Sequence, residues 1–211
     1  MATKTQMDMP DNDTPFNVIS VGADDKTAFT DRTLGKVYEY YLFGEIEEPI
    51  KYVNWFNAIR HACKEDLVKI YINSPGGNLY TAIQFMRVLR ETGATVIGSV
   101  EGACMSAATL IFLSCTAFEV SAHASFMFHN YSGGAFGKGG EMSSQLDFEK
   151  VWSKSLFHDA YEDFLTDREI SGILDGKDIW LSSVEVVERL RKREVLMTKR
   201  NKTALKALEH K

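Results

Sequence analysis

The order of apolar segments between Val68 and Ser106 constrains the fold of this chain more than any other feature. VKIYIN, which begins at Val68, predicts a buried strand, and helically spaced apolar residues from Leu79 to Glu91 predict a helix after it. ATVIGSV predicts the next strand, and another apolar helix opens near Ser106. This alternation predicts an α/β fold with a mainly parallel sheet. The loops at the carboxyl ends of such strands usually carry the functional groups.

Flanking segments extend the pattern in both directions. The further predicted elements are a strand in YEYYLFG, a helix at 50–63, short strands at 117–120 and 126–129, a glycine-dense run at 132–140, a long helix at about 143–165 and a helix after Ser182. Ser182 and Glu185 have the spacing of a capping box. The long helix has one apolar side, which must pack on something. That side consists of Leu146, Val151, Trp152, Leu156 and Phe164.

Length and composition predict one folded domain with two polar ends. The chain has 211 residues, of which 45% are apolar and 25% charged, and its net charge is −5. We divide it into an N-terminal arm over residues 1–37, a folded domain over 38–195 and a basic tail over 196–211. The tail lacks interleaved aromatic residues, so we expect no nucleic-acid partner.

Targeting and ligand signals are weak. The N-terminus contains acids and no apolar signal-peptide core, which predicts a cytoplasmic protein. The uncharged stretch from Gly102 to Phe118 holds several polar residues, so it predicts a buried helix and no membrane span. Cys63, Cys104 and Cys115 form no CxxC pair. We therefore expect no metal site and interpret the cysteines as small core residues.

Two side chains are candidates for acyl-transfer chemistry. Ser106, in GACMSAA, follows a strand and a glycine turn and opens a helix, where unpaired amides and the helix dipole stabilise an oxyanion. His129 closes the strand in FMFHN and is the candidate general base. His123, six residues earlier, is a rival. Composition does not choose the acid that orients the imidazole, because the chain has 29 Asp and Glu residues.

Taken together, these segments resemble the Clp protease family, whose proteolytic subunits are self-compartmentalised serine peptidases. The resemblance runs from about Tyr41 to Val195 and includes YINSPGG, GACMSAATLIF, FMFHNYSGG and DIWLSSVEVVE. It implies repeated ββα units, as in the crotonases, with a protruding handle at about 132–165. It also implies a serine endopeptidase that hydrolyses unfolded proteins or peptides inside an oligomeric chamber.

The resemblance assigns roles to single residues. It implies that Ser106 is the nucleophile, His129 the general base and Asp178 the orienting acid. It implies an oxyanion hole made of the backbone N–H groups of Gly77 and Ala107, and a reaction without metal or organic cofactor. An extended peptide substrate would add as a strand between two segments. These segments are Gly77, Asn78 and Leu79 on one side and Ser132, Gly133 and Gly134 on the other.

The resemblance also implies partners and shows one departure from the family. It implies a homo-oligomer in which two heptameric rings stack as a tetradecamer through the handle. The family's groove for the docking loop of an AAA+ unfoldase aligns with Lys69, Tyr71, Ser99, Glu101 and Glu119. Only Tyr71 suits an apolar loop, because unpaired charges are costly to bury. We therefore expect an altered, absent or unusual unfoldase, and our hypothesis for the origin is a virus-encoded or otherwise divergent family member.

Three other functions compete with an active peptidase. A catalytically idle ring subunit would keep the fold for assembly or regulation, although all three triad positions are filled here. A crotonase-type enzyme acting on acyl-CoA uses carboxylates and needs no serine and histidine pair. A Ser–Lys peptidase of the signal-peptide-degrading kind is normally tethered to a membrane, and this sequence predicts no span.

Overall fold

A six-stranded sheet organises the part of the chain that the computed structural model describes, residues 35–209. Its strands are β1 (Val37–Ile46), β2 (Leu67–Gly77), β3 (Thr95–Met105), β4 (Ala117–Val120), β5 (Ser125–Phe128) and β6 (Ile179–Ser182). The strand order is β1-β2-β3-β5-β6, and β4 also pairs with β3. Every pairing is parallel except that of β5 with β6. The predicted α/β fold with a mainly parallel sheet is confirmed.

Six α-helices connect or flank these strands. They are α1 (Val53–His61), α2 (Leu79–Glu91), α3 (Ala107–Leu113), α4 (Gly139–Tyr161), α5 (Asp167–Leu174) and α6 (Ser183–Glu209). A 3₁₀ turn at Pro49–Tyr52 precedes α1, so the helix predicted at 50–63 is divided. None of the described helices is long and apolar enough to cross a membrane. Of the predicted N-terminal arm, residues 1–34 lie outside the described residues.

Side-chain alternation along β2 separates a buried face of the sheet from a polar one. Val68, Ile70 and Ile72 are fully buried, because successive residues of a strand point to opposite faces. Lys69 and Tyr71 lie on the opposite, polar face. The buried face packs against α1, α2 and α3, which continue the core through aromatic contacts. This packing fixes the carboxyl ends of β2 and β3, where the candidate site lies.

The polar face carries a network of paired side chains. Lys69 forms an ion pair of 2.8 Å with Glu119, and the Ser99 hydroxyl donates to the Glu119 carboxylate at 3.0 Å. The Tyr71 hydroxyl donates to Glu39 at 2.7 Å, and the Lys69 ammonium lies 4.8 Å from the centre of the Tyr71 ring. Lys69 and Glu119, two of the charged residues that we aligned with an unfoldase groove, are therefore paired with each other within the chain.

Helix α4 differs from its prediction at both ends. It begins at Gly139, four residues before the predicted Ser143, and the Lys138 N–H donates to the Glu141 carboxylate at this end at 3.2 Å. It stops at Tyr161 because Glu162 is extended and Asp163 has a φ of 65°. The chain then reverses, and residues 164 and 165 return to the core.

The apolar side of α4 is only partly covered. Phe157 and Tyr161, in the last turns, are buried, whereas Leu146 and Val151 are exposed. Phe148, on the same exposed half, is also uncovered. Within the described chain the apolar side therefore packs only in the last turns of α4, because the first half of the helix protrudes beyond the core.

Two further expectations are corrected. Cys63 is exposed, so it is not a small core residue, whereas Cys104 and Cys115 are buried as predicted. Burial raises the pKa of the Cys115 thiol to about 12, which keeps it protonated and unreactive. Helix α5 was not predicted, although Thr166 and Glu169 form a capping box at its first turn.

A bidentate ion pair joins α5 to α6 and makes stability depend on pH. The Arg189 guanidinium donates to both Glu169 carboxylate oxygens, at 2.7 and 3.0 Å, and each side chain is 25% exposed. Arg189, with further hydrogen bonds from Thr166, lowers the pKa of Glu169 from 4.5 to about 2. Because the folded pKa is depressed, the stabilisation is present above pH 4.5 and is lost as the pH falls towards 2.

We expect Glu169→Gln to lower the free energy of unfolding by about 1–3 kcal/mol at pH 7. The difference from the native protein should shrink steadily as the pH falls from 4.5 towards 2, because the native carboxyl is protonated progressively over this range. Urea unfolding at pH 7, 4 and 2.5 measures it. A constant difference across this range would show that the carboxylate's charge does not contribute.

Candidate active site

Ser106 lies in a strained turn between β3 and α3. Its φ of 54° and ψ of −127° fall in a region that residues other than glycine rarely adopt. The Ser106 N–H donates to the Met127 carbonyl at 2.8 Å, which ties the turn to β5. Strain of this kind persists where the surrounding structure enforces it and is typical of nucleophile turns between a strand and a helix.

Two buried hydroxyls form a hydrogen-bonded chain that ends on the carbonyl of Ser106. The Thr109 hydroxyl donates to this carbonyl at 2.6 Å, and the Tyr161 hydroxyl lies 2.8 Å from Thr109. Because the one proton of Thr109 is already donated, Tyr161 is the donor in the second bond. Burial raises the pKa of Tyr161, so its proton is retained. No local sequence motif marks this pair, because the two residues are 52 positions apart.

His129 lies beside Ser106. It follows β5 directly, and its Nε2 is 2.7 Å from the Ser106 Oγ. His123 is exposed and precedes β5, so it lies at the opposite end of that strand. The structure thus brings one of the two candidate bases within hydrogen-bond distance of the serine.

Asp178 is not hydrogen-bonded to His129. Its side chain is exposed and makes no hydrogen bond to any side chain in the described ranges. Its position is nevertheless close to the site, since Phe128 pairs with Ile179 in the antiparallel ladder. Continuing that register by one residue sets His129 opposite Asp178, and opposite residues in such ladders are close neighbours.

Of the two glycines at the end of β2, Gly76 packs against the Ser106 turn and Gly77 against β1. Gly77 has a φ of 142° and ends β2, while Ala107 is the first residue of α3, where the N–H has no acceptor within the helix. Gly76 is packed more tightly against the serine than Gly77. A Cβ atom added to Gly76 would lie 2.6 Å from the Ser106 Cβ and 3.1 Å from the Ala107 nitrogen. Gly76 is thus a residue whose role sequence analysis did not identify, although it belongs to the SPGG turn.

We expect Gly76→Ala to lower peptidase activity at least about tenfold, because the new methyl group displaces the Ser106 turn. Gly44→Ala is a matched control, since Gly44 also has a positive φ, of 77°, but has open space around it. Both variants should lose about 1–2 kcal/mol of stability from backbone strain, and Gly76→Ala should lose more, because its methyl group also overlaps the Ser106 turn. Peptide hydrolysis and urea unfolding measure the two effects. Equal activity in the two variants would contradict the close packing at Ser106.

A cleft of about 590 Å³ opens beside the pair of Ser106 and His129. Its lining includes Gly77, Asn78, Leu79, Ala107, Ser132, Gly133 and Gly134. Residues 132–134 are exposed and belong to no strand. Asn78 caps α2 and Leu79 is its first residue, so the extended backbone beside the cleft on that side ends at Asn78. A segment bound there therefore has no extended backbone to pair with beyond Asn78.

No metal site accompanies this arrangement in the described ranges, where no three His, Cys, Asp or Glu side chains are grouped to hold an ion. Cys104, near the end of β3, is a fully buried thiol, and burial raises its pKa well above the ordinary value. Among the described groups at the cleft, the hydroxyl of Ser106 is therefore the nucleophile best placed for a neighbouring base.

Comparison with known proteins gives one positive result. No curated protein matches the sequence significantly. The sequence model of the Clp protease family matches residues 51–189, about two thirds of the chain. The matched range includes Ser106, His129 and the glycines at the end of β2. On this match, the chain belongs to the Clp protease family of peptidases.

Proposed function

We propose that this protein is a serine endopeptidase that cleaves peptides and unfolded proteins with Ser106, His129 and Asp178 as its catalytic triad. The observation that carries the proposal is the distance of 2.7 Å between the His129 Nε2 and the Oγ of a serine held in a strained turn. A catalytically idle subunit would not need to maintain either feature, since strain of this type costs on the order of 1–3 kcal/mol.

The proposed reaction begins when the Ser106 Oγ attacks the carbonyl carbon of the substrate peptide. His129 Nε2 accepts the hydroxyl proton, and the N–H groups of Gly77 and Ala107 donate to the oxyanion. His129 then gives the proton to the leaving amine, which breaks the C–N bond. Water attacks the acyl-enzyme in the same manner, with His129 again as base, and releases the second product.

Asp178 is the proposed orienting acid. Nε2 can accept the serine proton only if the imidazole carries its hydrogen on Nδ1, and a carboxylate at Nδ1 favours this tautomer. The β5–β6 register supports this role, because Asp178 is opposite His129 in the continued ladder. Because the two side chains are not hydrogen-bonded in the single chain, the proposal requires that they come together on assembly or substrate binding.

We also propose that the protein works as a homo-oligomer of stacked heptameric rings. The exposed apolar residues Leu146, Phe148 and Val151 on the protruding half of α4 support this, because an uncovered apolar helix face is typical of an interface. The paired charges of Lys69 and Glu119 argue against an apolar docking loop at the sheet's polar face, since such a loop would have to desolvate them. An AAA+ unfoldase, if one acts here, would need a polar contact.

The proposal is tested with the purified full chain, fluorogenic peptides and a permanently unfolded protein, with products identified by mass spectrometry. We expect internal cleavage of both substrates and a mass by light scattering well above that of the 23.8 kDa chain. Assembled protein that cleaves neither substrate would favour the idle ring subunit. A monomer at micromolar concentration would contradict the ring.

A further inference from the structure

The cleft beside Ser106 is lined by two chemically different sets of side chains. The floor is apolar and largely buried, and consists of Leu110, Met127, Phe157 and Tyr161. The rim is aromatic and carries a carboxylate, and consists of Tyr80, Tyr131, Glu149 and Trp152. Such a floor is suited to an apolar side chain of a substrate. The rim, which we call the Glu149 subsite, has a different chemistry.

The carboxylate of Glu149 is held by neutral donors. The Tyr131 hydroxyl donates to its Oε2 at 2.9 Å, and the Gln145 side-chain amide donates to its Oε1 at 2.7 Å. No Lys or Arg nitrogen among the described side chains lies within 4.0 Å of it, in contrast to the ion pairs elsewhere in the chain. Each carboxylate oxygen retains capacity for another donor. The negative charge of Glu149 is thus held in position by two hydrogen bonds and is not paired with a cation among the described side chains.

Aromatic rings surround the approach to this carboxylate. The ring centres of Tyr131 and Trp152 are 6.2 Å apart with an interplanar angle of 73°, and those of Tyr80 and Trp152 are 6.1 Å apart. Tyr80 comes from α2 and Trp152 from α4, so the rings meet across the cleft. Aromatic faces attract ammonium and guanidinium groups, and the alkyl stems of Lys and Arg pack on them.

We propose that the Glu149 subsite binds a Lys or Arg side chain of the substrate, so that cleavage favours peptides with a basic residue at one position near the scissile bond. This inference rests on the proposed peptidase function. The charged end of the basic side chain reaches Glu149 while its stem lies against the rings of Trp152 and Tyr80. The adjoining floor accepts an apolar neighbour.

Cleavage assays on paired peptides test the subsite. The peptides of a pair differ only in Lys or norleucine at one position, which is moved from three residues before the scissile bond to two after it. We expect one position at which Lys raises kcat/KM about tenfold over norleucine. Glu149→Gln, which keeps an acceptor for Tyr131, should bring this ratio close to one. A ratio near one at every position in the native protein would overturn the proposal.

A matched variant separates the local charge from the general charge of α4. Asp147→Asn removes one negative charge from the same helix, at an exposed residue outside the cleft, and should leave the Lys to norleucine ratio at its native value. The preference of the native protein for the Lys peptide should also weaken at high salt, because the proposed ion pair between Glu149 and the substrate is partly exposed. Equal effects of Asp147→Asn and Glu149→Gln would contradict a defined subsite.

Binding to an inactive variant distinguishes failure of the subsite from failure of the peptidase function. In Ser106→Ala protein, calorimetry should give about tenfold tighter binding of the Lys peptide than of its norleucine partner, and added Glu149→Gln should remove the difference. This result in a protein that cleaves nothing would keep the subsite and refute the activity. If the native protein cleaves both peptides and neither binding nor rate differs between them, the peptidase activity is kept and the subsite is refuted.

Discussion

A Ser106→Ala variant is expected to hydrolyse peptides at least about 10⁴-fold more slowly than the native protein. The variant lacks the only atom that attacks the substrate in the proposed reaction, and no other described nucleophile shares its contact with His129. The backbone at residue 106 is tied through Met127 and Thr109, neither of which contacts the serine hydroxyl. The fold and assembly should therefore persist.

The rate of a fluorogenic peptide under kcat/KM conditions measures this loss. Circular dichroism and light scattering on the same samples serve as controls for folding and assembly. A folded variant that retains more than about a tenth of the native rate would refute Ser106 as the nucleophile, because single triad substitutions have far larger effects.

The second large effect is expected for His129→Ala, which should lower kcat/KM by about 10³-fold or more. The imidazole accepts the serine proton in both halves of the proposed reaction, and its Nε2 is already 2.7 Å from the serine oxygen. His123→Ala is the matched control, since this histidine is exposed at the other end of β5. It should leave the rate within about twofold of the native value, as is usual for surface substitutions.

The paired comparison is decisive because both variants remove an imidazole from the same short segment. If His123→Ala abolishes activity and His129→Ala keeps it, then His123 is the general base and our assignment of His129 is wrong. Loss in both would indicate damage to β5, which thermal unfolding of each variant reveals.

The main elements of the fold follow from local sequence patterns, and the exceptions have physical causes. Helix α2 was predicted at its observed bounds, because helical periodicity and the stop at Gly93 agree there. The ends of α4 were misplaced, since its first residues belong to the glycine-dense run and its end is set by the turn at Glu162 and Asp163, which breaks no apolar pattern. Helix α5 was missed despite its capping box, because eight residues give too short a periodic signal.

The candidate site was predictable to a different degree for each residue. Ser106 and His129 follow strands that lie together in a parallel sheet, so their proximity could be anticipated from the strand order. Asp178 came only from the family resemblance, because it lies in the loop just before the one antiparallel strand and is 49 positions from His129. The contacts of Gly76, Thr109 and Tyr161 depend on side-chain packing, which a single sequence does not encode in any short pattern.

The central claim is that Ser106 is an activated nucleophile, and a fluorophosphonate probe tests it most directly. The purified protein is treated with the probe, and the adduct is located by mass spectrometry of its peptides, with Ser106→Ala and His129→Ala as controls. We expect one adduct, on Ser106, that is absent in the first variant and strongly reduced in the second. Folded and assembled protein that forms no adduct, or forms it on another residue, would contradict the account.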